Sequence, residues 1–268
     1  VGCFKHIKDE HSEWRKIDMS GGVRKTQRID KILAHLGHGS RSEIKRMVKQ
    51  RCITVNGIVL KDSGLHVDPF NDHIEVNGER IVYKEFIYLM LHKPQGVVSA
   101  TEDKREATVL DLLDTEDVVF EPFPVGRLDK DTEGLLLLTN DGKFAHNLLS
   151  PRKHVPKTYE ARVDGDVGEE DIAKFAAGVT LDDGYETLPG ELHVLSQEQD
   201  GDTIISIISL TIHEGKFHQV KRMFEAVGKK VIYLKRVQMG QVILDPNLEI
   251  GTYRELTSEE LSLLGKEE

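Results

Sequence analysis

Cysteine is scarce in this chain: only Cys3 and Cys52 occur among its 268 residues. Two cysteines so far apart exclude a disulfide framework and give no metal-ligand spacing, so the expected setting is the reducing cytoplasm. Long apolar runs are missing too. The longest strongly apolar stretch, around Ile204 to Ile212, falls well short of the roughly 20 residues that cross a bilayer as a helix. The opening residues lack the charged-then-apolar pattern of a secretory signal. No solenoid-length repeat and no low-complexity tract is present, which excludes repeat arrays and disordered linkers. What remains is an ordinary globular composition, 38% hydrophobic and 31% charged, in a chain long enough for two domains.

The formal net charge of −10 argues at first against a nucleic-acid partner. Its distribution argues the other way. Residues 1–85 hold 16 Lys and Arg against 12 Asp and Glu, or +4, and residues 86–268 hold the remaining 20 against 34, or −14. Within 24–51 nine basic residues face two acids, and within 213–236 seven face two. Net charge governs solubility, while local patches set the field that a ligand meets. Two basic patches on an acidic body suit a polyanion.

Residues 1–25 show no sustained period and are expected to form a mobile leader or upstream extension, with Met19 as an alternative start. From Arg28 the pattern sharpens. Ile29, Ile32, Leu33 and Leu36 have helical spacing, and Gly37 closes that helix. Ser40 with Glu43 is a capping box before Ile44, Met47 and Val48. Asn56-Gly57 and Asn77-Gly78, each between apolar triplets, mark two hairpins. Residues 26–82 are therefore expected to be a small module of two helices and short strands. Its basic residues Arg28, Lys31, Arg41, Lys45, Arg46, Lys49 and Arg51 fall between the apolar positions. A solvated face would carry mixed signs, and the excess of one sign favours RNA or DNA.

From Phe86 the chain is strand-rich: FIYLMLH, LLLLT, TYEARV, TIISIISLTI, VIYLKRV and VILD. Helical stretches are expected at 108–113, 143–149, 169–176 and about 216–227. Several strands follow one another without a crossover helix, so residues 86–268 predict an α+β domain with a mixed, largely antiparallel sheet flanked by helices.

The segment 126–142, GRLDKDTEGLLLLTNDG, packs charge directly before a strand that reads as buried. Asp129, Asp131, Glu133 and Gly134 fit the first positions of a calcium loop, but the twelfth position is Asn140 and Lys130 opposes a dication. A charged turn with Arg127 pairing an acid is the plain structural reading. The catalytic reading takes one carboxylate, held rigidly at a strand mouth beside a fixed cation, as base or nucleophile. The candidate cations are Arg127 and the cluster HEGKFHQVKRM at 213–223, which opens a helical pattern after the longest strand. Lys216, His218 and Arg222 there are candidate substrate contacts, since such a junction suits an anion. His213 and His218 do not read as metal ligands, because no third ligand stands at a matching spacing.

GRLDKDTEGLLLLTNDG resembles the signature of rRNA pseudouridine synthases with an N-terminal RNA-binding module. HKPQG at 92–96, KTYEARV at 157–163 and EGKFHQVKRM at 214–223 agree with that family, in order. Residues 28–81 look like a ribosomal-protein-S-four-type (alpha-L) RNA-binding domain. HQVKRM and the ending YRELT at 253–257 look more like the small-subunit rRNA branch.

The resemblance implies that a uridine N1–C1′ bond is broken, the base rotated and the sugar rejoined at C5, without cofactor or metal. It implies Asp129 as the catalytic carboxylate, by attack on C1′, addition to the base or a glycal route. It implies Tyr159 packing on the base and Lys221 pairing with Asp129. Arg127 and Leu128 would hold the place of the flipped nucleotide. The implied partner is ribosomal RNA, and a monomer suffices. The rival expectations are a large-subunit rRNA enzyme, a non-catalytic ribosome-assembly protein that keeps the fold, and a metal-dependent hydrolase using 129–133.

Overall fold

The computed structural model describes residues 26–201 and 203–266. The expected leader, Met19 and Cys3 lie outside the described residues. Contacts divide the chain into two units, one running to Ala34 and over His38–Tyr83, the other comprising His35–Gly37 and Lys84 onward.

The first unit is built from β1 (Gln27–Arg28), α1 (Ile29–His35), α2 (Arg41–Lys49), β2 (Ile53–Val55), β3 (Ile58–Val59), β4 (His66–Val67), β5 (Ile74–Val76) and β6 (Glu79–Ile81). The capping box at the start of α2 is formed: the Ser40 hydroxyl accepts from the Glu43 amide, and the Glu43 carboxylate accepts from the Ser40 amide at 2.8 Å. Ile44 and Val48 are buried while Arg41, Lys45, Arg46 and Lys49 stay exposed, as an amphipathic helix requires. Both Asn-Gly pairs adopt positive φ at both positions, turning β2 into β3 and β5 into β6 within a four-stranded sheet ordered β3-β2-β5-β6.

The second unit carries β7 (Tyr88–Lys93), α3 (Thr115–Val118), β8 (Phe123–Pro124), β9 (Glu133–Thr139), α4 (Gly142–Leu149), β10 (Lys157–Asp164) and α5 (Glu169–Ala177). There follow β11 (Glu191–Asp200), β12 (Thr203–Ile212), α6 (Gln219–Ala226), β13 (Lys230–Met239), β14 (Val242–Ile243), β15 (Tyr253–Glu255) and α7 (Ser258–Leu263). They form a nine-stranded sheet ordered β11-β12-β10-β13-β9-β7-β15, with β14 on β13 and β8 on β9. Every pairing is antiparallel except β13 with β9, where only Glu133 and Gly134 pair with Lys235 and Arg236. The α+β class and the mixed, largely antiparallel sheet are thus as the sequence implies.

The four-leucine run of β9 is buried on both faces. Leu136 and Leu138 join a core with Leu89, Leu91, Phe175 of α5 and Phe224 of α6; Leu135 and Leu137 join a second with Met90, Phe144 and Leu148 of α4. Layers of helix on both faces explain why this strand shows no polar alternation. Several elements differ from expectation, among them the unexpected short helices α3 and α7. Residues 108–113 form only a 3₁₀ turn at Val109–Leu112, closed by an Asp111 carboxylate that accepts from the Thr108 amide and hydroxyl. α6 begins at Gln219 and not near 216, because His218 before it is left-handed at φ 48°. The long edge strand β11 was not apparent, since its residues are mostly exposed and polar. No helix among the described residues is long and apolar enough to cross a membrane.

Candidate active site

The charged loop lies between β8 and β9, and its backbone is clamped from beneath. Lys93, at the end of β7, is wholly buried. Its ammonium donates to the carbonyls of Asp129 at 3.0 Å, Thr132 at 2.9 Å and Pro94 at 3.0 Å. Ser99 brackets the next residue back: its hydroxyl donates to the Leu128 carbonyl at 2.8 Å and accepts from the Leu128 amide at 3.0 Å. The Gly96 amide donates to the Lys130 carbonyl at 2.8 Å. The stretch 92–99 is therefore the cradle of the Asp129 loop. Burial pulls the Lys93 ammonium down to about 8, against the opposing pull of Asp129, Asp131 and Glu133.

Where the loop enters β9, Gly134 has φ +107°, and a Cβ there would stand 2.1 Å from the Arg236 carbonyl oxygen. Only glycine lets the β9 and β13 backbones meet at this point. The contact brings the Asp129 loop against the strand that carries Leu234 and Arg236.

The Asp129 side chain faces a fixed cation. Lys221 Nζ, on α6, lies 3.1 Å from Asp129 Oδ2 and 2.6 Å from Asp131 Oδ1. Burial lowers the Lys221 ammonium, but bonds and charges from Asp131 and Asp129 outweigh it and hold the ammonium above its ordinary value. The same bond holds Asp131 below the usual carboxylate range. Asp131 is thus a second anchor for Lys221. Glu133 accepts from the Tyr233 hydroxyl at 2.7 Å instead. The three acids do not converge on one point, and among the described residues no group of His, Cys, Asp and Glu is placed to hold a metal ion. His218 Nε2 stands 3.5 Å from the other Asp129 oxygen, and its ring stacks on Phe217 with centroids 3.8 Å apart. The left-handed backbone of His218 aims both contacts, a strained conformation of the kind found at functional sites.

Asp129 opens onto a cleft of about 860 Å³, also lined by Arg127, Leu128, Tyr159, Lys216, Phe217 and His218. Lys157, Leu234 and Arg236 complete its floor. Tyr159 is buried in β10, directly across from Arg236 of β13. Lys216 Nζ lies 4.3 Å above the Tyr185 ring. Arg127 is exposed and makes no side-chain hydrogen bond or ion pair among the described residues, so the expected pairing of Arg127 with an acid does not form.

One expected substrate contact is corrected. Arg222 does not line the cleft: its guanidinium is held by Asp182 and by Asp183 at 2.7 Å, forty positions back in sequence. Those acids lie in a loop that the sequence pattern does not bring near α6. Among the basic residues of the first unit, Lys31, Arg41, Lys45, Arg46, Lys49 and Arg51 are exposed. Arg28 is exposed as well, but its guanidinium makes two bonds to Asp30, at 3.0 and 2.7 Å. Sequence reasoning missed Lys93, Ser99, Lys157 and Arg236. HKPQG and KTYEARV flagged the neighbourhoods of Lys93 and Lys157 without a role; nothing local marked Ser99 or Arg236.

Residues 87–226 match the family model described as RNA pseudouridylate synthase, and residues 27–74 match the S4 domain. The chain is 55% identical over 239 residues to an uncharacterised RNA pseudouridine synthase, YtzG, of Bacillus subtilis, covering 89% of this chain and 98% of the relative. It is 42% identical to the ribosomal large subunit pseudouridine synthase B of Bacillus subtilis, covering 89% and 95%. It is 39% identical to the ribosomal small subunit pseudouridine synthase A of Salmonella typhimurium, covering 89% and 100%. A crystal structure of a pseudouridylate synthase superposes with a TM-score of 0.61 at 36% identity, over 88% of this chain and 99% of that one.

Proposed function

Because the chain belongs to the RNA pseudouridylate synthase family, with an S4 domain ahead of the synthase domain, it is an RNA isomerase, and we propose that its substrate is a uridine of small-subunit ribosomal RNA. The observation that carries the catalytic reading is the pairing of Asp129 with Lys221, two distant motifs meeting in one cleft.

Asp129 is the reacting carboxylate. A carboxylate acts as nucleophile or base through its oxygens, and Lys221 Nζ fixes one of them from 3.1 Å. A uridine stacked in an RNA helix cannot present C1′ to it, so the nucleotide is extruded into the cleft at a cost of a few kcal/mol. Tyr159 packs on the extruded base and recovers part of that cost. Arg127 and Leu128, at the mouth, occupy the space the nucleotide leaves. Lys216 and His218 meet the RNA from the opposite wall. The glycosidic bond moves from N1 to C5, the C5 proton is lost and N1 gains one. No atom or electron is added, so the balance calls for no cofactor. The exposed cations of α2 give the RNA a second contact through its phosphates.

HQVKRM and YRELT support the small-subunit choice. A large-subunit site is the second reading, favoured by the 42% identity to the synthase of that class. We read the protein as a monomer of the cytoplasm, the compartment that fits relatives named for ribosomal subunits. The test is pseudouridine mapping of total rRNA from cells with and without the protein. Loss of one small-subunit site is expected. Loss of a large-subunit site would move the target, and an unchanged map would remove rRNA as the substrate.

A further inference from the structure

The floor of the cleft carries two cations that no acidic group among the described residues neutralises. Arg236 is 2% exposed, yet its guanidinium makes a single hydrogen bond, from Nε to the Leu135 carbonyl at 2.8 Å. Neither terminal nitrogen has a partner among the described residues, and Nη2 is fully buried. Among the described residues Lys157 donates only to the Val155 carbonyl, at 2.8 Å. Among the described residues no carboxylate reaches either side chain, although the chain carries ten more acids than bases. Lys93, by contrast, is held by three carbonyls and Lys221 by two carboxylates, while Arg127, which also lacks a partner among the described residues, is exposed to solvent.

Strand geometry puts the two where a ligand would meet them. Lys157 and Tyr159 are two residues apart on β10 and so share one face, and Arg236 is the cross-strand partner of Tyr159. Burial, and after it the nearby charge of Arg236, pull the Lys157 ammonium down to about 8. A fold that buries unpaired donors and like charges together bears a free-energy cost unless a ligand removes it.

We propose that Arg236 and Lys157 form an anion subsite that receives a negatively charged oxygen of the target nucleotide. The inference rests on the isomerase reading and adds to it a second electrostatic centre, distinct from the Lys221–Asp129 pair. Two sources supply such an oxygen. One is a non-bridging oxygen of the phosphodiester next to the uridine, charged from the first encounter. The other is a uracil carbonyl oxygen during reaction. If the N1–C1′ bond breaks heterolytically, its electron pair stays on the ring and spreads to O2 and O4. If Asp129 adds at C6, the pair moves to C5 and O4. In both cases the pair leaves the ring again when C5 bonds C1′, or when the adduct collapses. Cations preset at that point in a water-poor cleft stabilise the charge where it develops.

The experiment compares the wild type with Lys157→Met, Lys157→Arg and Arg236→Lys on the RNA fragment identified by mapping. Affinity and single-turnover rate are measured separately, after a thermal melt confirms each fold. Lys157→Met, at the half-buried start of β10, keeps the test usable if Arg236→Lys does not fold. A loss of about a hundredfold in rate with RNA affinity unchanged assigns the oxygen to the uracil. A loss of about tenfold in affinity with the bound rate unchanged assigns it to the phosphate. In either case Lys157→Arg restores most of the loss, because it restores the charge. Wild-type rate and affinity in a folded Lys157→Met protein would overturn the subsite, as would a Lys157→Arg protein no better than Lys157→Met. An inactive wild type on every rRNA fragment would instead bring down the isomerase reading.

Discussion

The ammonium of Lys221 lies 3.1 Å from a carboxylate oxygen of Asp129, ninety-two positions earlier in the chain. The pair joins the strand-mouth loop to the first turn of α6, and Asp131 holds the same ammonium from the solvent side. Asp129→Asn is expected to reduce turnover by at least about a thousandfold, since the amide is neither nucleophile nor base. RNA affinity should drop little. Asp131→Asn, at a position whose side chain is 71% exposed, should stay within about threefold of wild type. Substantial turnover by purified Asp129→Asn, measured by pseudouridine formation in a single-turnover assay, would contradict the assignment.

Gly134→Ala is expected to be destabilising well beyond an ordinary surface change. The new Cβ meets the Arg236 backbone, and φ +107° is strained for any L-residue. A loss of about 3 kcal/mol or more follows, visible as a fall of roughly 6–12 °C in melting temperature. A melting temperature within a degree of wild type would show that the two strands can separate at little cost.

Lys93→Met tests the clamp beneath the loop. It strips the donor from three carbonyls, and a stability loss of about 2–4 kcal/mol is expected. The pH dependence has a definite sign. The folded-state pKa of Lys93, about 8, lies below the ordinary 10.5. Between those values the unfolded chain binds the proton that the folded chain has released, so this group's contribution to stability rises with pH. The gap between wild type and Lys93→Met should therefore be wider at pH 9 than at pH 7 in denaturant titrations. A gap that narrows would show that the ammonium is favoured by its site.

Neutralising Lys45, Arg46 and Lys49 together, as glutamines, leaves Ile44 and Val48 in place to keep α2 packed. RNA affinity should fall, and the slope of log affinity against log salt should flatten by about 2. An unchanged slope would mean that this helix face is merely solvated.

Much of this was legible in the sequence where local chemistry dictates local form. Ser40 and Glu43 had to cap α2, and the two Asn-Gly pairs had to turn hairpins. The run 135–138 announced a strand buried on both faces, and Asp129, Tyr159 and Lys221 stood out through the motifs that hold them. The rest depends on contacts between distant segments. Lys93 gives no sign in its own neighbourhood that three carbonyls, two of them 36 and 39 positions away, will surround it. Arg222 reads as a free cation beside Lys221 until a remote loop brings Asp182 and Asp183 to it. β11 hid because an exposed edge strand needs no apolar alternation.

The parallel contact of Glu133 and Gly134 with Lys235 and Arg236 makes the nine-stranded sheet two antiparallel blocks sewn by a two-residue seam. Asp129 hangs from one block, while Tyr159, Lys157 and Arg236 belong to the other. One apolar core backs the seam, taking Leu136 and Leu138 from the first block and Ala161, Val163 and Leu234 from the second. The same narrow stitch thus brings the carboxylate of one block to the cleft residues of the other.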